Sequence, residues 1–240
     1  MQKSQIKEKL KSAIQIYKKT KDPRVSEVIE HLTKILSTSK SRDNLLDYAK
    51  HVYPGYKDPA HIKLIAKNLE ALEKGEINRL AVFMPPRHGK SMLCSEFFPA
   101  WYLGNNPKEF VIQSTYAQEL ADDFGRKVRN QIASPDFNSV FPQVGLRADS
   151  SSAKRFHTMQ GGTYSAVGAG GAITGRGAHL LIIDDPIKGR EDAESETQRR
   201  NLVEWYKSVA YTRLQPGGKI IIIQTRWHQD DLAGHILAES

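Results

Sequence analysis

Four short apolar runs constrain this chain more than any other feature: Leu80–Phe83, Phe110–Ile112, Leu180–Ile183 and Ile220–Ile223. Each is continuously apolar rather than alternating, and each is followed by polar or turn residues. That pattern belongs to strands buried on both faces, as in a parallel sheet covered by helices. The stretches between them read as covering helices: Ser91–Tyr102 ending before Gly104, Ala117–Ile132 and Thr197–Val209. Gln215-Pro216-Gly217-Gly218 reads as a turn feeding the last apolar strand.

The region before the first strand has a different texture. Residues 4–50 read as three short helices, the second opening at Asp22-Pro23, a capping carboxylate followed by a residue with φ preset for a helix. Ser37–Ser41 reads as a connection, and Tyr53-Pro54-Gly55-Tyr56 as a break. Asp58-Pro59 starts a further helix with Ile62, Ile65, Ala66, Leu69 and Leu72 on one face, ending at Gly75. The expected organisation is a small helical region over residues 1–52 and an α/β core over residues 53–240.

Charge and composition narrow the class. The 35 Lys and Arg against 27 Asp and Glu leave a net +8. Residues 1–50 hold 12 basic and 6 acidic residues, so this end carries +6 of it. Such an end attracts phosphate polymers or an anionic surface, or is a solvated lysine-rich helix face. The N-terminus has no apolar core behind its lysines, so a signal peptide is not expected. No apolar run approaches the roughly 18 residues of a membrane helix. The single cysteine, Cys94, excludes an intramolecular disulfide and fits a reducing compartment.

The chemistry sits at the ends of the apolar runs. Leu80–Phe83 leads into Met84-Pro85-Pro86-Arg87-His88-Gly89-Lys90-Ser91 and then a helix. Gly89 lets backbone approach phosphate oxygens, and the new helix aims its free N–H groups at them. Lys90 would reach the β- and γ-phosphates and Ser91 would hold Mg²⁺; Arg87 would touch the γ-phosphate. The pattern is a variant of G-x-x-x-x-G-K-[ST], with Met84 where the first glycine usually stands. Leu180–Ile183 ends in Asp184-Asp185, which delivers two carboxylates to the edge where ligands gather in open α/β sheets. Asp184 would bind Mg²⁺ and Asp185 would polarise the attacking water, with Glu191 the nearest other acid.

The last strand ends in Gln224-Thr225, candidate sensors of the γ-phosphate, or a satisfied polar pair at a strand end. Arg176, between Gly175 and Gly177, is a candidate mobile arginine, with Arg213 and Arg226 as alternatives and surface phosphate contacts as the plain reading of all three. Two other motifs fail on pattern. The glycines from Gly168 to Gly177 lack G-x-G-x-x-G spacing and precede a strand. His228, Asp231 and His235 have helical spacing but lack a further zinc ligand.

Met-Pro-Pro-Arg-His-Gly-Lys-Ser, Ile-Thr-Gly-Arg-Gly before Ile-Ile-Asp-Asp-Pro, and Gln-Thr-Arg-Trp-His-Gln-Asp-Asp-Leu-Ala-Gly occur in this order. Together they resemble the ATPase domain of tailed-phage large terminases, the motors that package double-stranded DNA into a procapsid. The resemblance runs from about Tyr53 to Leu237. It implies a P-loop NTPase fold using ATP and Mg²⁺, with Pro86, Arg87, His88, Gly89, Lys90, Ser91 and Met92 around the nucleotide. Lys90, Arg87, Asp185 and Arg176 take the catalytic roles, Ser91 and Asp184 hold the metal, and Gln224 and Thr225 form a coupling motif. His61 stands where the family places a Gln-type adenine contact.

Implied partners are double-stranded DNA, the portal protein and the small terminase subunit, with a homo-oligomeric ring on assembly and a monomer in isolation as the alternative. The implied location is the cytoplasm of the infected bacterial host. A full large subunit also carries an RNase-H-type nuclease, which nothing up to Ser240 supplies; ATP hydrolysis without DNA cleavage is the expectation. Two other readings are a helicase-like nucleic-acid-dependent ATPase and a basic scaffold that holds nucleotide without turnover.

Overall fold

The computed structural model describes residues 3–171, 173, 175 and 177–239. Four helices come first: α1 (Lys3–Thr20), α2 (Pro23–Asp43), α3 (Leu45–Val52) and α4 (Ala60–Glu73). Asp22 caps α2, its carboxylate accepting the Arg24 N–H at 2.9 Å. The expected break at Ser37–Ser41 is instead the interior of α2. Thr38 Oγ1 turns back onto the Lys34 carbonyl at 3.0 Å, and the buried Ser41 offers its carbonyl to Trp101 Nε1 at 3.0 Å. A local back-bond that keeps Thr38 within the helix and one tertiary bond to Ser41 thus hold a serine-rich stretch whose composition favours turns. The chain breaks at Asn44, whose extended backbone ends α2 and whose side chain caps α3.

A sheet of seven strands follows, in the order β1-β7-β6-β2-β5-β4-β3. The parallel part is β1 (Arg79–Phe83), β7 (Leu214–Gln224), β6 (Ala178–Asp184), β2 (Phe110–Thr115) and β5 (Thr163–Gly168). β3 (Leu146–Ser151) and β4 (Arg155–Thr158) add an antiparallel extension beyond β5. All four apolar runs are strands of the parallel part. The Gln215–Gly218 turn lies within β7 as a looped-out segment: Leu214 faces Ala178 while Lys219 faces Leu180. Gly217 there takes the left-handed φ of 74° that the turn needs.

Alternation along the strands sorts their side chains into two cores. Leu180, Ile182, Ile221, Ile223, Val111 and Val82 face one, under α3, α4, α5 (Phe98–Asn105), α6 (Gln118–Ile132) and α7 (Pro135–Val140). Leu181, Ile183, Ile220, Ile222 and Ile112 face the other, under α8 (Arg190–Glu194), α9 (Glu196–Trp205) and α10 (Leu232–Glu239). Covering both faces is what permits continuous rather than alternating apolar strands. The helix expected over Ser91–Tyr102 begins as a π-helical turn, Met92–Phe97, and runs on through Gly104 in α5. The helix expected over Thr197–Val209 is α9 followed by a second π-helical turn, Tyr206–Ala210. Among the described residues no helix is long and apolar enough to cross a membrane.

Candidate active site at the carboxyl edge of the sheet

β1, β7 and β6 are adjacent and parallel, so the loop after β1, the end of β7 and the acids of β6 meet at one edge. This is the edge where open α/β sheets bind ligands. In the loop, Arg87 and Gly89 both take left-handed backbone, with φ of 64° and 82°. Glycine does so freely; at Arg87 the same conformation costs about 1 kcal/mol. A Cβ at position 89 would lie 3.2 Å from Ile62 Cδ1, so the loop is also packed closely on α4. His88 bonds its own loop, with Nδ1 2.8 Å from the Pro86 carbonyl. His61 reaches the loop from α4, its Nε2 3.3 Å from the His88 carbonyl. Pro86, Arg87 and His88 are exposed, while Met92 packs against the core below.

Lys90 is buried, and its Nζ lies 2.5 Å from Asp185 Oδ2. Strict alternation would send Asp185 to the sheet face opposite Asp184. A left-handed φ of 40° at Asp185 ends the strand and re-aims the carboxylate. Its second oxygen, Oδ1, accepts the Thr225 N–H at 2.7 Å. Asp185 therefore joins the loop lysine to the end of β7. The same end is tied to the loop by Met84 N–H donating to the Gln224 carbonyl and Thr225 Oγ1 donating to the Met84 carbonyl, each at 3.4 Å.

Asp184 is only 1% exposed. Its Oδ2 accepts Ser95 Oγ–H at 2.6 Å, while the buried Oδ1 has no partner. Burial pushes its carboxyl up to about 6 from an ordinary 3.8; the Ser95 hydroxyl opposes that, the Asp185 charge adds to it, and Ser91 and Lys90 hold it back. Ser91 is half-buried beside it. Gln224 is buried on the other sheet face, its Oε1 also unpartnered.

The arginine candidates separate. Arg226 is a clamp: Nε lies 2.7 Å from Asp231 Oδ2 and the guanidinium sits 5.3 Å over the Phe83 ring. Asp231 is thereby committed, with Oδ1 accepting the Gly234 N–H, which leaves it unavailable as a metal ligand with His228 and His235. Arg213 precedes β7 and so stands at the opposite end of that strand from Gln224, about 20 Å away because the Gln215–Gly218 segment is looped out. Arg176 lies outside the described residues. Glu191 is exposed on α8. Four buried polar residues of this edge escape the sequence reading: Ser95, Gln113, Ser114 and Thr115. The only signal for Ser95 was a polar residue one helical turn after Ser91 in an otherwise apolar run.

Fold and site together define an α/β protein whose parallel sheet gathers a glycine-lysine-serine loop, two acids and a polar strand end at its carboxyl edge. The chain matches the family model of the terminase large subunit, T4-like-virus type, N-terminal, over residues 82–238. It belongs to that family. The matched span contains the loop, both acids and the Gln224–Thr225 segment. A search of curated proteins gives no match.

Proposed function

We propose that the chain is the Mg²⁺-dependent ATPase motor of a phage large terminase, a P-loop NTPase that drives double-stranded DNA into a procapsid. Family membership supports a role in DNA packaging. The observation that carries the ATPase reading is the Lys90–Asp185–Thr225 link beside a buried, half-satisfied Asp184. An orphaned carboxylate oxygen next to a hydroxyl suits a hard divalent cation, and a buried lysine behind a glycine loop suits phosphate. These residues fit Mg²⁺–ATP. Ser91 and Asp184 would hold the metal, Pro86–Met92 would wrap the phosphates, and His61 would border the nucleotide. The metal, when bound, neutralises charge on the phosphate oxygens.

In this scheme Lys90 exchanges Asp185 for phosphate, which frees Asp185 Oδ2 to accept a proton from the attacking water. Asp185 keeps its bond to the Thr225 N–H, so a change in its position reaches β7 directly. Gln224 and Thr225 would pass that change to the DNA-moving surface. Arg87 would touch the γ-phosphate, and Arg176 would be supplied by a neighbouring subunit in a ring. We further propose that residues 1–52 form a lid or a DNA- or partner-binding region on the core of residues 53–240. Portal protein, small terminase subunit and double-stranded DNA are the partners, in the cytoplasm of the infected host.

The test is steady-state phosphate release from ATP with Mg²⁺ over a protein dilution series. Lys90→Ala should abolish turnover, and Asp185→Asn should keep nucleotide binding while stopping hydrolysis. Turnover that rises more than linearly with concentration supports an arginine in trans. Nucleotide binding by wild-type protein without turnover, alone and with DNA, would favour the scaffold reading. Full activity in Lys90→Ala would refute the site.

A further inference from the structure

The turn after Ser91 is π-helical over Met92–Phe97, a wider coil frequent at functional sites. It carries Ser95, which has no exposure, onto the acid strand. The Ser95 hydroxyl donates to Asp184 Oδ2 at 2.6 Å, and the Ser95 carbonyl accepts Gln113 Nε2 at 3.1 Å. Gln113 is fully buried in β2, paired across from Ile182, two residues before Asp184 on the same sheet face. A buried chain Gln113–Ser95–Asp184 thus runs beneath the phosphate loop.

A serine packed among Leu93, Cys94, Phe97 and Phe98 satisfies its hydroxyl on one oxygen of this carboxylate and leaves the other without a donor. The terminal torsion of an aspartate is broad, so a carboxylate bonded at neither oxygen has no fixed orientation. Ser91, the other nearby hydroxyl, is the one the nucleotide reading gives to the cation, which leaves Ser95 as the standing donor. We infer that Ser95, braced by Gln113, is a positioning residue that fixes Asp184 so that Oδ1 alone is offered to the divalent cation. The inference rests on the Mg²⁺–nucleotide reading above. Partners of metal-binding side chains typically carry about 10–100-fold in metal affinity.

The experiment titrates MnCl₂ into protein with ADP and follows free Mn²⁺ by electron paramagnetic resonance. Binding of a fluorescent ADP analogue in EDTA is measured alongside, and circular dichroism checks folding. Ser95→Ala should weaken Mn²⁺ binding about 10-fold or more while leaving metal-free ADP binding unchanged. Ser95→Thr, which keeps the hydroxyl, should restore it, and Gln113→Met should fall between wild type and Ser95→Ala. Mn²⁺ binding by Ser95→Ala equal to wild type overturns the inference, as does a loss in Ser95→Thr as large as in Ser95→Ala. If Ser95→Ala does not fold, Gln113→Met decides in its place: weaker Mn²⁺ binding supports the inference and wild-type binding overturns it. Wild-type protein that takes up neither ADP nor Mn²⁺ overturns the nucleotide reading and this inference together; wild-type uptake matched by Ser95→Ala overturns this inference alone.

Discussion

Asp184 holds a charge where burial opposes it, and the cost can be measured. Its folded carboxyl titrates near 6 against 3.8 for an ordinary aspartate, mainly through burial. About two pH units at 1.36 kcal/mol each give about 3 kcal/mol of destabilisation. Above pH 6 the folded protein carries the buried charge and the whole penalty is present. As pH falls from 6 towards 4 the folded state takes up a proton before the unfolded chain does, and the penalty fades. Asp184→Asn removes the charge, keeps the shape and leaves an acceptor for Ser95. Allowing about 1 kcal/mol for the weaker bond to a neutral acceptor, the variant should be about 2 kcal/mol more stable than wild type at pH 8. That advantage should shrink by about 2 kcal/mol by pH 4. Urea denaturation of both proteins in EDTA, without nucleotide, at steps between pH 8 and pH 4 gives the difference directly and cancels the other titrating groups. A variant less stable than wild type at pH 8, or a difference flat with pH, would refute the burial argument. A stabilised variant without Mg²⁺-dependent turnover would show stability given up for function.

Three further perturbations test other parts of the structure. Gly89→Ala forces a Cβ onto a φ of 82° against Ile62, and should destabilise the protein by about 1 kcal/mol in thermal unfolding and weaken ADP binding. Arg226→Ala leaves the fully buried Asp231 without its ion-pair partner and should cost about 3 kcal/mol in urea denaturation, whereas Arg226→Ala with Asp231→Ala should recover part of that; a double-variant loss equal to the sum of the Arg226→Ala and Asp231→Ala losses would mean the pair is not coupled. Replacing Lys7, Lys9, Lys11, Lys18 and Lys19, all exposed on α1, by Gln should lower DNA affinity in fluorescence anisotropy and flatten its salt dependence, and an unchanged salt slope would remove α1 from the DNA contact.

The parallel sheet was legible in the sequence because strands buried on both faces leave uninterrupted apolar runs, and all four such runs are strands. β3, β4 and β5 were not legible. Leu146–Ser151 and Arg155–Thr158 are polar and short, and β5 follows them directly, so pairing rather than composition makes them strands. Ser37–Ser41 misled because its helical state depends on Trp101 and on side-chain bonds back to the preceding turn. Lys90 was legible as the lysine of the loop after β1 and Asp185 as an acid at the end of β6, but their contact was not. It depends on a φ of 40° at Asp185 that no spacing rule reports. Ser95 was illegible for the opposite reason, since its role comes from a π-helical turn that shifts the register of the helix.

The cost of this edge is visible in where the structure leaves groups unsatisfied. Among the described residues, nine buried side-chain polar atoms have no hydrogen-bond partner. Five of them, Gln113 Oε1, Ser114 Oγ, Thr115 Oγ1, Asp184 Oδ1 and Gln224 Oε1, lie in the carboxyl-terminal halves of β2, β6 and β7. Each such atom costs about 1–3 kcal/mol, a burden that folded proteins rarely concentrate in one place. Backbone strain converges there too: of the three non-glycine residues with positive φ among the described residues, Arg87 and Asp185 are both at this edge. The apolar cores on both sheet faces supply the stability that holds these groups in place. A sheet edge that were merely a terminus would relax those torsions and turn those atoms to water. Their retention in adjacent strands, beside a buried lysine already matched to an acid, is what a site prepared for a charged ligand requires.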